Sequence, residues 1–244
     1  MRIGIIGSGE MGSLLASKFV ALGHTVSITN SRGPQSMRQL AENIGVQPTT
    51  IEEVTKNRDV IVIAIPQKSI LDLPRNIFNN LSKDIAIIDT GNYYPNLRDG
   101  ILSGLDQSGI DSLWVQEMLG VTIVKAFNSI LATSIKDVEE LRDRNDRIAL
   151  PVSGDNMGAK KTTFKLVQEL GFDYLDIGNI HKSWKQQPGS TIYCKDVNLV
   201  TMKKKVEEMG DDWYQMQNIV LSKRSRDEKL MKADYTAYLE TLKS

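Results

Sequence analysis

Arg2-Ile3-Gly4-Ile5-Ile6-Gly7-Ser8-Gly9-Glu10-Met11-Gly12 is the stretch that decides the fold. Residues 2–6 are short and apolar on both faces, as a strand buried inside a parallel sheet must be. Gly7 to Gly12 then reads G-x-G-x-x-G, and Met11, Leu14, Leu15, Phe19 and Leu22 follow at helical spacing until Gly23 stops the helix. Strand, glycine turn and helix in this order make a dinucleotide cradle. Gly7 allows the tight turn, Gly9 lets backbone approach a pyrophosphate, and Gly12 lets helix and strand pack closely. The helix start offers free N–H groups and positive dipole to the phosphates. A strand-to-helix turn that binds nothing is the bland alternative. Three glycines so spaced, unfavourable in a helix without a reason, argue against it.

Working outward, Thr25–Thr29 reads as a second strand, and Ser36 to Ile44 as a short helix with Met37, Leu40, Ala41 and Ile44 on one stripe. Thr50-Ile51-Glu52-Glu53 has capping-box spacing and predicts a further helical turn or two. The run Val60–Ile65, stopped by Pro66, fits a central strand. Ile85–Asp89, Thr122–Ala126, Ile148–Val152 and Asp173–Asp176 are further strand candidates, with a helix from about Met157 to Leu170 between the last two. The expected fold is α/β: a Rossmann-type, doubly wound, mostly parallel sheet with a small C-terminal helical or irregular portion. The βα rhythm stops near Gly178. Residues 1–178 are therefore expected to form the dinucleotide-binding Rossmann-type domain, and 179–244 a cleft-covering segment and helical tail. After Gly210 the tail carries Trp213, Tyr214, Met216, Ile219 and Val220 among charges. It is expected to pack as a helix, with a frayed end as the alternative for the last twenty residues.

The end of the second strand chooses the cofactor. An NAD site places a carboxylate there for the ribose hydroxyls. Asn30-Ser31-Arg32 stands in that place, and a hydroxyl with a guanidinium can hold a 2′-phosphate that a carboxylate would repel. Ser31 and Arg32 are the expected 2′-phosphate ligands; Gln35, Ser36 and Arg38 lie within reach. Arg32 as an ordinary solvated turn residue is the alternative. NADP(H) is the expected cofactor. Pro66 should sit under its nicotinamide half, because ligands of such sheets bind beyond the carboxyl ends of the strands. Thr90, Gly91, Asn92, Phe127 and Asn128 occupy the same edge, where Asn and Gly also serve plain loop chemistry.

These blocks together resemble a known family. Gly7 to Gly12, Ser31-Arg32, Ala64-Ile65-Pro66, Asp89 to Pro95, Val124 to Ile130 and Ser183-Trp184-Lys185-Gln186-Gln187-Pro188-Gly189 are similar to the NADP oxidoreductases, coenzyme F-420-dependent, the deazaflavin:NADP reductases, and most to their bacterial branch. The resemblance covers roughly residues 1–200. It implies hydride transfer between NADPH and a deazaflavin or a related cofactor. It also implies that Ser8, Gly9 and Met11 hold the pyrophosphate, with Glu10 in the same turn, and that Ile65 and Pro66 serve the nicotinamide side. Ala126 and Asn128, with Thr90 on the same edge, would lie near the nicotinamide. Trp184, Gln187 and Pro188 would face the second substrate.

The remaining composition narrows the classes. Thirty Lys plus Arg balance thirty Asp plus Glu, so no net field draws the chain to nucleic acid or anionic lipid. No stretch reads as a signal peptide or a membrane span. Cys194 has no disulfide partner, and one cysteine with His24 and His181 does not make a structural zinc site. A cytoplasmic protein is expected, with a homodimer plausible from the apolar tail residues. His24 reads as a surface or capping residue and His181 as a loop or cleft histidine. Lys125 is expected to pair with a carboxylate or face out. No nucleophile–base pair is evident, which suits a reaction whose chemistry resides in the cofactors, the protein supplying orientation. The expected function is an NADPH-dependent oxidoreductase acting on a deazaflavin, flavin or similar small acceptor. An NADPH-binding sensor without turnover is the alternative. A β-hydroxyacid or imine reductase needs a long helical C-terminal domain, and the residues after Gly178 are too few for one without a dimer.

Overall fold

The computed structural model describes residues 1–74, 76–79, 81–82, 84–138 and 146–243. Among these, strands β1 (Arg2–Ile6), β2 (Thr25–Thr29), β3 (Gln47–Pro48), β4 (Val60–Ile63), β5 (Ala86–Asp89), β6 (Val124–Lys125), β7 (Ala149–Gly154) and β8 (Asp173–Gly178) form one sheet. Their order is β3-β2-β1-β4-β5-β6-β7-β8. The first six strands run parallel in the order of a dinucleotide-binding sheet, which reverses direction of growth between β1 and β4. Strand β7 is antiparallel to β6 and parallel to β8. The last two strands are thus one βαβ unit running the opposite way, a direction that apolar runs alone do not reveal.

The helices are α1 (Glu10–Ala21), α2 (Arg38–Ile44), α3 (Leu105–Ser108), α4 (Asp111–Leu119), α5 (Ala132–Lys136), α6 (Met157–Glu169), α7 (Leu199–Glu208), α8 (Trp213–Ala233) and α9 (Tyr235–Lys243). Short 3₁₀ segments at Gln67–Asp72 and Ile180–Gln186 complete the layers. Alternation along the strands builds a core on each face. Val60, Val62, Ala86 and Ile88 join Leu15, Ala16 and Phe19 of α1 and Leu166 and Val167 of α6. Ile61, Ile63 and Ile87 join Ile70, Trp114 and Val115 on the other side. Both faces are covered, so the central strands β1, β4 and β5 are apolar on both sides almost throughout, and Rossmann-type doubly wound packing is the result.

Two expectations change in detail. Thr50 to Glu53 forms turns over residues 51–57 instead of a helix. There Thr49, one residue earlier, donates to the Glu53 carboxylate at 2.8 Å. The two-residue edge strand Gln47–Pro48 escapes the apolar pattern, being too short to show a period and ending in proline. The tail is helical to Lys243. It is anchored at its end by Tyr238 and Leu242, which are buried against Tyr193 and Cys194. No helix among the described residues is long and apolar enough to cross a membrane.

Candidate functional site: a dinucleotide cleft

The turn from β1 into α1 lies at the carboxyl edge of the sheet, between β2 and β4. Gly7 adopts φ +115°, and a Cβ there would stand 2.2 Å from the Ala64 carbonyl oxygen. Gly12 is pressed on the turn itself, where a Cβ would stand 2.0 Å from the Gly7 oxygen. Gly9 differs: a Cβ would meet no atom within 4 Å. Close packing accounts for Gly7 and Gly12. Open space in front of Gly9 is what a backbone kept bare for a ligand leaves. Gly9 is also the N-cap of α1 and lacks a side-chain capping bond, so the first N–H groups of the helix remain for an external acceptor.

Around this turn opens a cleft of about 720 Å³. The structure brings Gly7, Ser8, Gly9, Asn30, Ser31, Arg32, Ile65 and Pro66 together on its walls. Glu10, Met11 and Gly12 form the first turn of α1 directly behind. Thr50, Ile51, Glu52, Leu73 and Pro74 also line the cleft. Ser31 and Arg32 are exposed. Among the described residues no side chain pairs with the Arg32 guanidinium, whose backbone N–H donates to Asn30 Oδ1 at 2.9 Å. Of the residues within reach of the turn, Ser36 donates to Asn30 Oδ1 at 3.1 Å, while Gln35 and Arg38 are exposed. Thr29, also on the wall, has a buried hydroxyl with no hydrogen-bond partner. An uncapped helix start, an unpaired guanidinium, an orphaned hydroxyl and a bare glycine form a donor set that fits a phosphorylated dinucleotide.

Thr90, Ala126 and Asn128 lie at the same edge but are buried and do not reach the cleft wall. Thr90 donates its hydroxyl to the Ile63 carbonyl at 3.1 Å. Asn128 is held on every side. Its amide donates to the Gln186 carbonyl at 2.7 Å and to Asn92 Oδ1 at 3.1 Å, and its carbonyl accepts from Gln186 Nε2 at 2.8 Å. Phe127, just before it, sits at φ +59°, a backbone strain of order 1–3 kcal/mol that this network over-determines.

Trp184, Gln187 and Pro188 are likewise interior. Trp184 stacks obliquely on Trp213 with ring centroids 5.5 Å apart. Gln187 accepts from the Asp111 N–H at 3.1 Å and donates to the Gly109 carbonyl at 2.7 Å. The Pro188 carbonyl accepts from Arg224 Nε at 3.1 Å. The physical reason is α8, which lies across this segment and fills its outer face. A short path still links cleft and interior: Gln67, next to Pro66, donates to the Asp111 carbonyl at 3.0 Å, and Asp111 leads to Gln187.

Several charged groups play parts that residue type alone does not announce. Lys125 and Asp89 form a fully buried pair at 2.8 Å, with Ser112 and the Gly91 N–H also on the carboxylate. Asp111 and Arg224 form a second at 2.9 Å. Burial pushes the Asp111 carboxyl up from its ordinary range, against the opposing pull of Arg224, Lys125 and the Tyr93 N–H. Glu228 is buried and accepts from the Asn96 and Leu97 N–H groups and from Asn96 Nδ2. His24 is not a surface residue: its ring bridges the Met1 amine and Glu169 at 3.1 and 3.0 Å, because α6 packs over it. His181 is exposed.

Residues 2–93, the span that builds this cleft, match the family model described as NADP oxidoreductase coenzyme F420-dependent. Over this span the chain is similar to that family. The metalloreductase STEAP3 of Rattus norvegicus is 28% identical over 179 residues, covering 73% of this chain. The chain spans only 34% of that protein's length. Among solved structures, protein SMa0349 of Sinorhizobium meliloti is 27% identical with a TM-score of 0.65, over 81% of this chain and 95% of its own. A protein of Arthrobacter sp. FB24 described as an F420-dependent NADP-reductase shares the fold at a TM-score of 0.62 and 21% identity, over 75% of this chain and 87% of its own.

Proposed function

We propose that this chain is an NADPH-dependent reductase that delivers a hydride to a deazaflavin, flavin or similar small redox acceptor. The reading is carried by one observation: the bare, uncapped start of α1 and the Ser31-Arg32 turn converge on a single cleft. Gly7, Ser8 and Gly9, with the first N–H groups of α1 at Glu10, Met11 and Gly12, would hold the pyrophosphate. Ser31 and Arg32 would hold the 2′-phosphate through charge-assisted bonds. Ile65 and Pro66 would bound the nicotinamide half. Thr90, Ala126 and Asn128 would support that edge from behind, and Trp184, Gln187 and Pro188, buried beneath α8, would support the acceptor side without touching the acceptor. When bound, NADPH supplies the hydride, and the chain's contribution is to orient the two partners and keep water out. The relationship to a metalloreductase supports including ferric chelates among the acceptors.

The test has two steps. Fluorescence titration should show NADPH binding at least about tenfold tighter than NADH, and Arg32→Ala should weaken NADPH alone by about 1.5–3 kcal/mol, the range of a hydrogen bond to a charged group. Equal affinities, or parallel losses for both nucleotides, would end the NADP reading. Stopped-flow oxidation of NADPH is then followed with deazaflavin, FMN, FAD, riboflavin, quinones and ferric chelates. Tight NADPH binding with turnover of none would replace the reductase with an NADPH-binding sensor.

A further inference from the structure

The Asn30 side chain holds both phosphate-facing loops. Asn30 ends β2, and its Nδ2 donates to Ser8 Oγ in the glycine turn at 2.8 Å. Its Oδ1 accepts from the Arg32 backbone N–H at 2.9 Å and shares the Ser36 hydroxyl proton, at 3.1 Å, with the Gly33 carbonyl at 2.8 Å. The Arg32 N–H can only donate, so the atom facing it must be the carbonyl oxygen. That fixes the amide's orientation by chemistry alone. The NH₂ group therefore faces Ser8.

A hydroxyl has one proton and two lone pairs. With a lone pair of Ser8 Oγ taken by the Asn30 amide, the Ser8 proton has to point elsewhere. Ser8 is half-buried on the cleft wall, and no described atom accepts from its hydroxyl. We propose that Asn30 is a positioning and specificity residue: it fixes the Ser8 hydroxyl as a hydrogen-bond donor to a cofactor phosphate, while its other end sets the backbone of the Ser31-Arg32 turn. An aspartate in its place would keep the bonds from Arg32 and Ser36, since a carboxylate accepts both. It would also draw the Ser8 proton to itself and turn Ser8's lone pairs toward the phosphate. The substitution reverses the polarity of a neighbouring residue besides adding a charge.

The inference rests on the NADP reading above, and its test separates the two. Binding of 2′,5′-ADP, 5′-ADP, NADPH and NADH is measured by calorimetry for the wild type, Asn30→Asp, Ser8→Ala and the double variant, with thermal melting as the control for folding. Wild type that binds neither NADPH nor 2′,5′-ADP would sink the NADP reading itself. Given wild-type binding, Ser8→Ala should weaken it about tenfold, the loss of one charge-assisted donor. Asn30→Asp should weaken binding about a hundredfold alone but only about tenfold further in the Ser8→Ala background, because charge repulsion persists there and polarity reversal does not. Losses confined to NADPH and 2′,5′-ADP would assign the Ser8 donor to the 2′-phosphate; losses shared with NADH and 5′-ADP would assign it to the pyrophosphate. An equal factor for Asn30→Asp in both backgrounds, or unchanged binding in Ser8→Ala, would overturn the proposal. The second of these holds even if Asn30→Asp fails to fold.

Discussion

Arg224 of α8 meets Asp111 at the first residue of α4 across 113 positions of sequence, 2.9 Å apart with both side chains buried. The guanidinium also donates to the Pro188 carbonyl and lies 5.7 Å from the Tyr93 ring centre. One tail residue thus touches α4, the Trp184 segment and the loop after β5. The contact ties the tail to the body of the fold at three separate places.

Breaking that contact from one side should be costly. Among the described residues, Arg224→Ala leaves the buried Asp111 carboxylate with the Tyr93 N–H at 3.2 Å as its remaining donor, and one-sided removal of a buried pair costs about 3–5 kcal/mol. The double variant Arg224→Met with Asp111→Asn removes both charges and should lose much less than the sum of the single changes. Urea unfolding midpoints measure both. An Arg224→Ala variant within about 0.5 kcal/mol of wild type would show that the tail is only loosely held.

The three glycines of the opening turn should separate folding from binding. At Gly12 an added methyl meets a carbonyl oxygen, so Gly12→Ala should destabilise by about 1–3 kcal/mol, the range for overpacking. At Gly9 the methyl meets nothing, and Gly9→Ala should cost no more than about 1 kcal/mol, the penalty for alanine at a helix N-cap. NADPH affinity should nonetheless fall at least tenfold in Gly9→Ala, because the methyl occupies the space left for phosphate. Paired melting and NADPH titration decide it. Wild-type affinity in Gly9→Ala would place the pyrophosphate away from this turn.

How far the residues announce the structure depends on the range over which each signal acts. The turn at Gly7 to Gly12, the Asn30-Ser31-Arg32 run and the continuous apolar run ending at Pro66 carry their meaning locally, and the structure sets them around one cleft. Gln47–Pro48 carries too little pattern, and the reversal between β6 and β7 leaves no mark on either strand's composition. The buried pairs are harder still. Lys125 reads as a lysine that pairs with a carboxylate or faces out, and only the fold shows that the partner is Asp89, 36 positions earlier. Gln186 stands next to Gln187 in the Trp184 motif, yet its amide serves the interior, donating to the Asn128, Lys125 and Pro151 oxygens. The sign that points inward is two consecutive amides after a tryptophan, a polarity that buried segments rarely carry without partners. The family resemblance sets Asn128 beside the nicotinamide and Trp184, Gln187 and Pro188 at the second substrate. Their interior placement depends on where α8 lies, and α8 is set by the distant Arg224.

The last anchor of the tail should make the protein sensitive to alkali. Tyr94, Tyr193, Cys194 and Tyr238 cluster where α9 docks, with the Tyr94 and Tyr193 hydroxyls in direct contact. Burial pushes the Cys194 thiol up to about 12, the Tyr193 hydrogen bond opposing and Asp196 adding to the rise. Burial likewise raises all three phenols above their ordinary value. Each group is an acid whose neutral form the fold prefers, so its contribution is complete at pH below the unfolded value, near 8.5 for the thiol and 10 for the phenols. Above that, the unfolded chain releases protons that the folded chain retains, and stability falls as pH rises, by about 1.4 kcal/mol per pH unit for each group engaged. Between pH 9 and 12 the thiol acts first and the phenols join it. Chemical denaturation at stepped pH should therefore show a slope that steepens through pH 10, and Tyr193→Phe should flatten it. Because Cys194 is the single cysteine, an aromatic disulfide reagent at pH 8 should titrate well under one thiol per folded chain and one per chain in guanidinium. Prompt reaction of the folded protein would mean that α9 leaves its seat readily, and the alkaline slope should then vanish with it.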